Sequence, residues 1–167
     1  MKRLILVLFC CLCGVAGAAI TEYYVTAETE STEWADAVNE ASPCTLTTAF
    51  ANADAGDRVN VKKGAYSLSG FITPGNNGDG NAFIIYRGYN ATIGDLDVTE
   101  RPSKWALIDT TNFPVFTMTG WIASPARYRF QNLKMTTNVN GPAIYNAAVS
   151  VIDNCVLLNT GTGANAR

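Results

Sequence analysis

The sequence predicts an all-β solenoid, and three observations predict it. Two stretches echo one another: Tyr128-Arg129-Phe130-Gln131-Asn132-Leu133-Lys134-Met135 is followed by Ser150-Val151-Ile152-Asp153-Asn154-Cys155-Val156-Leu157, so that Asn132 and Asn154 lie 22 residues apart. A period in the twenties, built of short β-like runs, marks a coil that stacks on itself. Upstream, short apolar runs are punctuated by Gly64, Gly70, Gly75, Gly78, Gly80 and Gly88, the residues that tight turns between short strands require. Finally, one amphipathic helix precedes the first regular run, where a stack needs its open end covered.

The elements follow in order. Lys2 and Arg3 precede the apolar run Leu4 to Cys13 and the small residues Ala16-Gly17-Ala18. This is the pattern of a signal peptide over residues 1–18, with an apolar core too short to span a bilayer. The alternative, lipidation at Cys10, Cys11 or Cys13, lacks a small-residue approach. Residues 19–57 form the N-terminal part: a strand at Tyr23-Tyr24-Val25, an acidic loop from Ala27 to Ser42, and a helix. Thr45 is its cap, Leu46, Ala49, Phe50 and Ala53 fall at helical spacing, and Ala55-Gly56 is its expected end.

Residues 58–167 form the coils, about four to five of them at this period. Arg58-Val59-Asn60-Val61, Ala65-Tyr66-Ser67-Leu68, Ala82-Phe83-Ile84-Ile85-Tyr86, Ala106-Leu107-Ile108 and Val115-Phe116-Thr117-Met118 read as strands. In the echo, Phe130 stacks on Ile152, Leu133 on Cys155 and Met135 on Leu157. Asn132 and Asn154 form an amide ladder at a turn, or serve as left-handed turn residues without one. Pro114-Val115-Phe116 and Pro142-Ala143-Ile144 match in position, which places an insertion of about six residues around Trp121 to Pro125. The chain as read ends at Arg167 with no C-terminal cap in sight, so a fragment is the expectation, with further coils beyond it.

Charge and composition exclude several classes. Without Lys2 and Arg3 the chain carries 10 basic and 14 acidic residues, a net charge of −4. From Glu22 to Asp57 there are eight acids and no base; from Arg58 onward there are ten bases and six acids. Overall acidity argues against a nucleic-acid binder. The absence of histidine excludes Ser-His-Asp and Cys-His catalysis and histidine metal sites within these residues. Cys44 and Cys155 fall too many rungs apart for a disulfide, and Cys155 reads as a small core hydrophobe.

The candidate binding residues are Arg127, Arg129 and Lys134. They occupy the outward positions of the pattern that turns Tyr128, Phe130, Leu133 and Met135 inward, a strip suited to carboxylates of a glycan. The plainer reading is a solvated strand face. Lys62, Lys63 and Arg87 form a second basic group. Asn76 to Asn81 offers oxygen ligands but only one carboxylate, Asp79, so a turn is the better reading than a calcium site. Asp153 is one outward carboxylate. Trp105 and Trp121 suit sugar stacking or core packing, and Asn90-Ala91-Thr92 is a glycosylation sequon in a eukaryotic secretory route.

The N-terminal segments, with Thr45-Leu46, Ala49-Phe50-Ala51, Ala55-Gly56-Asp57-Arg58-Val59-Asn60-Val61 and Gly64-Ala65-Tyr66, resemble the helix cap and first coil of secreted right-handed parallel β-helix proteins of the pectate-lyase-like superfamily. Gly80 to Tyr89 resembles the following coil of chondroitinase-B-like and alginate-lyase-like members, and Val151-Ile152-Asp153-Asn154-Cys155 the generic repeat. The resemblance implies a right-handed parallel β-helix, and a secreted, periplasmic or cell-surface monomer acting on or binding acidic polysaccharide. It also implies polysaccharide lyase chemistry. A Lys or Arg removes the proton α to a uronate carboxylate whose charge is offset by Arg or by Ca2+. No cofactor is evident from the residues themselves, and no catalytic residue is identified. The alternative is a non-catalytic, adhesin-like β-helix for glycan binding, or a structural fragment.

Overall fold

The computed structural model describes residues 20–27, 33–79, 82–97, 111–119, 122–123, 127–138, 144–145 and 151–160. The signal-peptide segment, Ala106-Leu107-Ile108, Trp105, Trp121 and Pro142 lie outside them.

The described chain is all-β with one short α-helix and a single turn of 3-10 helix. Strands β1 (Glu22–Val25), β2 (Arg58–Lys62), β4 (Ile84–Tyr89), β7 (Tyr128–Gln131) and β10 (Val151–Asp153) form a five-stranded sheet in that order. A second sheet runs β3 (Ala65–Leu68), β5 (Val115–Met118), β8 (Lys134–Thr137), β11 (Val156–Asn159), and β6 (Ile122–Ala123) pairs with β9 (Ile144–Tyr145). Every one of these pairings is parallel. Strands consecutive in the chain, such as β7 and β8, lie in different sheets, so the backbone bends sharply between them.

Side-chain alternation explains each strand. Val59 and Val61, Ile84 and Tyr86, Tyr128 and Phe130, Tyr66 and Leu68, and Phe116 and Met118 are all buried, with polar or small residues between most of them. Alternation of period two aims one set at the core. Register stacks like on like: Tyr86 lies opposite Phe130 with ring centroids 5.7 Å apart, and Phe50 of the helix lies 4.6 Å from Tyr86.

The echo in the sequence is the step between neighbouring strands. Phe130 pairs with Ile152, Met135 with Leu157 and Ile122 with Ile144, each 22 residues on. The last pair corrects the proline match: Ile144 lies opposite Ile122, whereas Phe116 lies opposite Met135. Ile122 to Phe130 and Ile144 to Ile152 both span eight residues, so no six-residue insertion is needed there. The inward expectation holds fully for the first copy only. Phe130, Leu133 and Met135 are completely buried, but Ile152 and Leu157 are 45% and 43% exposed. A stacked side chain needs a neighbour on both sides, and among the described residues β10 and β11 are covered on one side alone.

Both readings of the asparagines are true together. Asn132 and Asn154 adopt φ of 56° and 49°, the left-handed region that asparagine tolerates better than most residues. The Asn154 Nδ2 donates to Asn132 Oδ1 at 2.7 Å, and the Asn132 Nδ2 donates to Asp97 Oδ1 at 2.7 Å. Asn132→Ala is expected to cost about 3 kcal/mol, from left-handed strain plus two lost hydrogen bonds. Asn132→Gly keeps the backbone comfortable and should cost about half of that. Urea unfolding of the two variants separates the contributions; equal losses would show that the backbone conformation is irrelevant there.

The N-terminal part differs from expectation in two places. Within the acidic stretch, Trp34–Val38 forms a 3-10 turn because Trp34 stacks on Tyr23 at 3.8 Å and Ala37 is buried. The helix α1 spans Leu46–Asn52 rather than reaching Gly56. Thr45 caps it as expected, accepting from the Thr48 N–H at 3.1 Å. Beyond Ala53, carboxylates compete for the backbone: the Asp54 N–H donates to Asp57 Oδ2 and the Ala55 N–H to Asp54 Oδ1, both at 2.8 Å. Such local bonds end helices. The strand expected at Ala82–Tyr86 begins two residues later and extends to Tyr89. Among the described residues no helix is long and apolar enough to cross a membrane.

Candidate functional site

The three candidate cations do not share one strip. Arg129 projects from the outer face of β7, in the five-stranded sheet, whereas Lys134 lies on β8, in the four-stranded sheet, beyond the bend at Asn132. Lys134 is flanked in register by Val115 and Val156. Arg127 sits just before β7 at φ 69°, its carbonyl accepting from the Ile84 N–H at 3.1 Å. Gly78 is packed against that backbone, where a Cβ would approach the Arg127 oxygen to 2.6 Å. All three residues are half-buried, and Tyr128, Phe130, Leu133 and Met135 point inward as the alternation requires.

Arg129 is already neutralised. Its guanidinium lies 3.2 Å from the Asp153 carboxylate, which also accepts from Gln131 at 3.4 Å. The same device recurs along this face. Arg58 pairs with Glu22 at 2.6 Å, and Arg87 with Asp97 at 3.4 Å. At these exposures each pair contributes only about 0–1 kcal/mol, so a glycan carboxylate could compete for the arginine. Asp153, read from the sequence as a solitary carboxylate, is therefore the residue that sets the charge at Arg129. Its place one rung along, at the 22-residue step and two positions over, was the available signal.

The second basic group also divides. Arg87 lies on the sheet face with Asp97, but Lys62 and Lys63 line a groove of about 600 Å3 together with Gly64, Glu40 and Tyr89. The groove arises because β2 ends at Lys62 and the chain turns there. The Tyr66 hydroxyl donates to the Lys62 carbonyl at 2.6 Å, and the Lys63 N–H to the Tyr89 carbonyl at 2.7 Å. Opposite, the Tyr89 hydroxyl donates to Glu40 Oε1 at 3.1 Å. Burial, and then the nearby Glu40 carboxylate, push the Tyr89 phenol well above its ordinary range, so it stays a proton donor.

The Asn76 segment is a turn. The Asn76 amide donates to the carbonyls of Asn52 and Ala53, and its own carbonyl accepts from the Tyr128 hydroxyl at 2.6 Å. With Asp79 as its one carboxylate, the segment does not fit calcium, which calls for several. Among the described residues no three acidic or cysteine side chains gather where a metal could be held. In the sequon, Asp95 accepts from the backbone of Asn90, Ala91 and Thr92. Burial opposes ionisation of Asp95, but these donors outweigh it and hold its carboxyl below the usual range.

Cys44 and Cys155 are both free. Burial pushes each thiol up to about 11, so at neutral pH only about one molecule in ten thousand carries the reactive thiolate. Iodoacetamide at pH 7 should leave both unmodified in the folded protein and alkylate both in urea, read by peptide mass mapping. Rapid labelling of either in the native chain would contradict the burial described.

No family model matches the chain, and comparison with curated proteins and with solved structures finds no match either.

Proposed function

We propose that the chain is a right-handed parallel β-helix of the pectate-lyase-like kind, secreted, periplasmic or held at the cell surface, that acts on or binds acidic polysaccharide. The fold reading is supported by parallel strands in three sheets, with sharp bends between consecutive strands and a recurring 22-residue step. In it, α1 is the lid over the first coil, with Phe50 and Ala49 against Tyr86. The ligand reading is carried by the basic side chains Arg127, Arg129 and Lys134 on the outer surface of neighbouring strands.

Carboxylates of a uronate polymer would meet Arg127 and Lys134 directly and would displace Asp153 from Arg129. In the lyase reading a Lys or Arg removes the proton next to a carboxylate whose charge another cation offsets. The non-catalytic reading is favoured by one observation: Arg129 is held by Asp153, which suits exchange of one carboxylate for another better than proton abstraction. Incubation with alginate, pectate and chondroitin separates the two. Ultraviolet absorbance of an unsaturated uronate product marks lyase activity. Retention on a polymer column without that product, lost in Arg127→Glu with Lys134→Glu, marks binding. Neither turnover nor retention would overturn the proposal.

A further inference from the structure

We infer that the groove beside Lys62, Lys63 and Glu40 is a separate site that takes the uronate end of an acidic mono- or disaccharide. The inference rests on the acidic-polysaccharide reading above but uses none of the same side chains. The volume, about 600 Å3, is in the ordinary range for small-ligand sites. Two exposed ammonium groups and one exposed carboxylate line it, yet among the described residues no ion pair joins Glu40 to either lysine. Glu40 is engaged by the Tyr89 hydroxyl at 3.1 Å, and the Lys63 Nζ donates only to the amide oxygen of Asn112, at 2.7 Å. The groove therefore keeps a net positive charge that a ligand carboxylate would neutralise.

Glu40 decides the ligand class. A bare phosphate would meet repulsion from that carboxylate. A uronic sugar carries a carboxylate for the lysines and hydroxyl donors for Glu40 on one ring. The walls are fixed independently of a ligand: Gly64 passes so close to Ala27 that an added Cβ would lie 2.7 Å from the Ala27 Cβ. The hydroxyl of Tyr66 anchors the Lys62 carbonyl.

The test is calorimetric titration of the full chain with digalacturonate, with the corresponding neutral disaccharide and with inorganic phosphate. Digalacturonate should bind and the neutral sugar should be at least about tenfold weaker, as loss of a charge-assisted contact implies. Lys62→Glu, at an exposed position, should weaken digalacturonate by about tenfold or more while circular dichroism stays unchanged. Lys63→Glu is the second variant. Absence of digalacturonate binding, binding indifferent to both substitutions, or phosphate binding as tight as the sugar acid would each overturn the inference. Polymer retention that survives Lys62→Glu while digalacturonate does not bind would overturn it and leave the proposed outer-face function standing.

Discussion

Replacing Gly88 with alanine is expected to destabilise the protein by about 3 kcal/mol or more, a fall in Tm of roughly 10 °C for a chain of this size. Gly88 lies inside β4, paired with Val61 on one side. A Cβ there would collide with the carbonyl oxygen and carbon of Asn132 and reach 2.8 Å from the Pro114 Cδ. None of these atoms is the tip of a flexible side chain. Asn132 is itself held by its turn and its amide bonds, so relief would require moving a strand or breaking the ladder. Gly70→Ala is the control. Gly70 has φ 71° and nothing within 4 Å of an added Cβ, so only backbone strain applies, about 1 kcal/mol. Thermal unfolding by circular dichroism ranks the two. A Gly88→Ala loss no larger than that of Gly70→Ala would show that the close approach to Asn132 is wrong.

Tyr86→Ala should cost about 3–5 kcal/mol, the usual penalty for removing a large buried aromatic. Tyr86 is completely buried and touches the rings of Phe50, Tyr128 and Phe130, so it joins the helix to two successive strands. Its hydroxyl donates to the Ala49 carbonyl at 3.1 Å. Tyr86→Phe removes that bond alone and should cost about 1 kcal/mol. Because the helix leans on this ring, hydrogen exchange over Leu46–Asn52 should quicken more in the alanine variant than elsewhere. Unchanged protection of those amides would mean that the helix is held by something other than Tyr86.

Much of the architecture was legible because its physics is local and periodic. Alternation in Val59–Val61 and Tyr128–Phe130 announces strands, Thr45 announces a helix start, and the repeated asparagine announces a turn. The 22-residue spacing then becomes a register. The misreadings have equally specific causes. The helix stops early because Asp54 and Asp57 satisfy backbone donors, a competition that apolar spacing does not reveal. Matching Pro114 to Pro142 compared residues that belong to different sheets; Ile122 and Ile144, in a two-residue strand pair, were the true partners. The exposure of Ile152 and Leu157 depends on what lies on the far side of β10 and β11, which alternation along one strand cannot express.

The candidate site was less legible because charge pairing is a property of neighbours in space. Outward placement of Arg127, Arg129 and Lys134 follows from alternation. That Asp153 would occupy Arg129, and that the Asn132 bend would put Lys134 on another sheet, depends on register. Lys62 and Lys63 looked like a companion to Arg87, but the turn at Gly64 swings them to a groove faced by Glu40, 22 residues earlier in the chain.

The central claim is that residues 22 apart stand side by side in parallel register, and cross-strand nuclear Overhauser contacts in a labelled sample test it most directly. Contacts in the parallel pattern linking Phe130 with Ile152, Met135 with Leu157 and Ile122 with Ile144 are predicted. An antiparallel pattern joining Tyr128–Gln131 to Lys134–Thr137 as a hairpin, with no contact between Phe130 and Ile152, would contradict it.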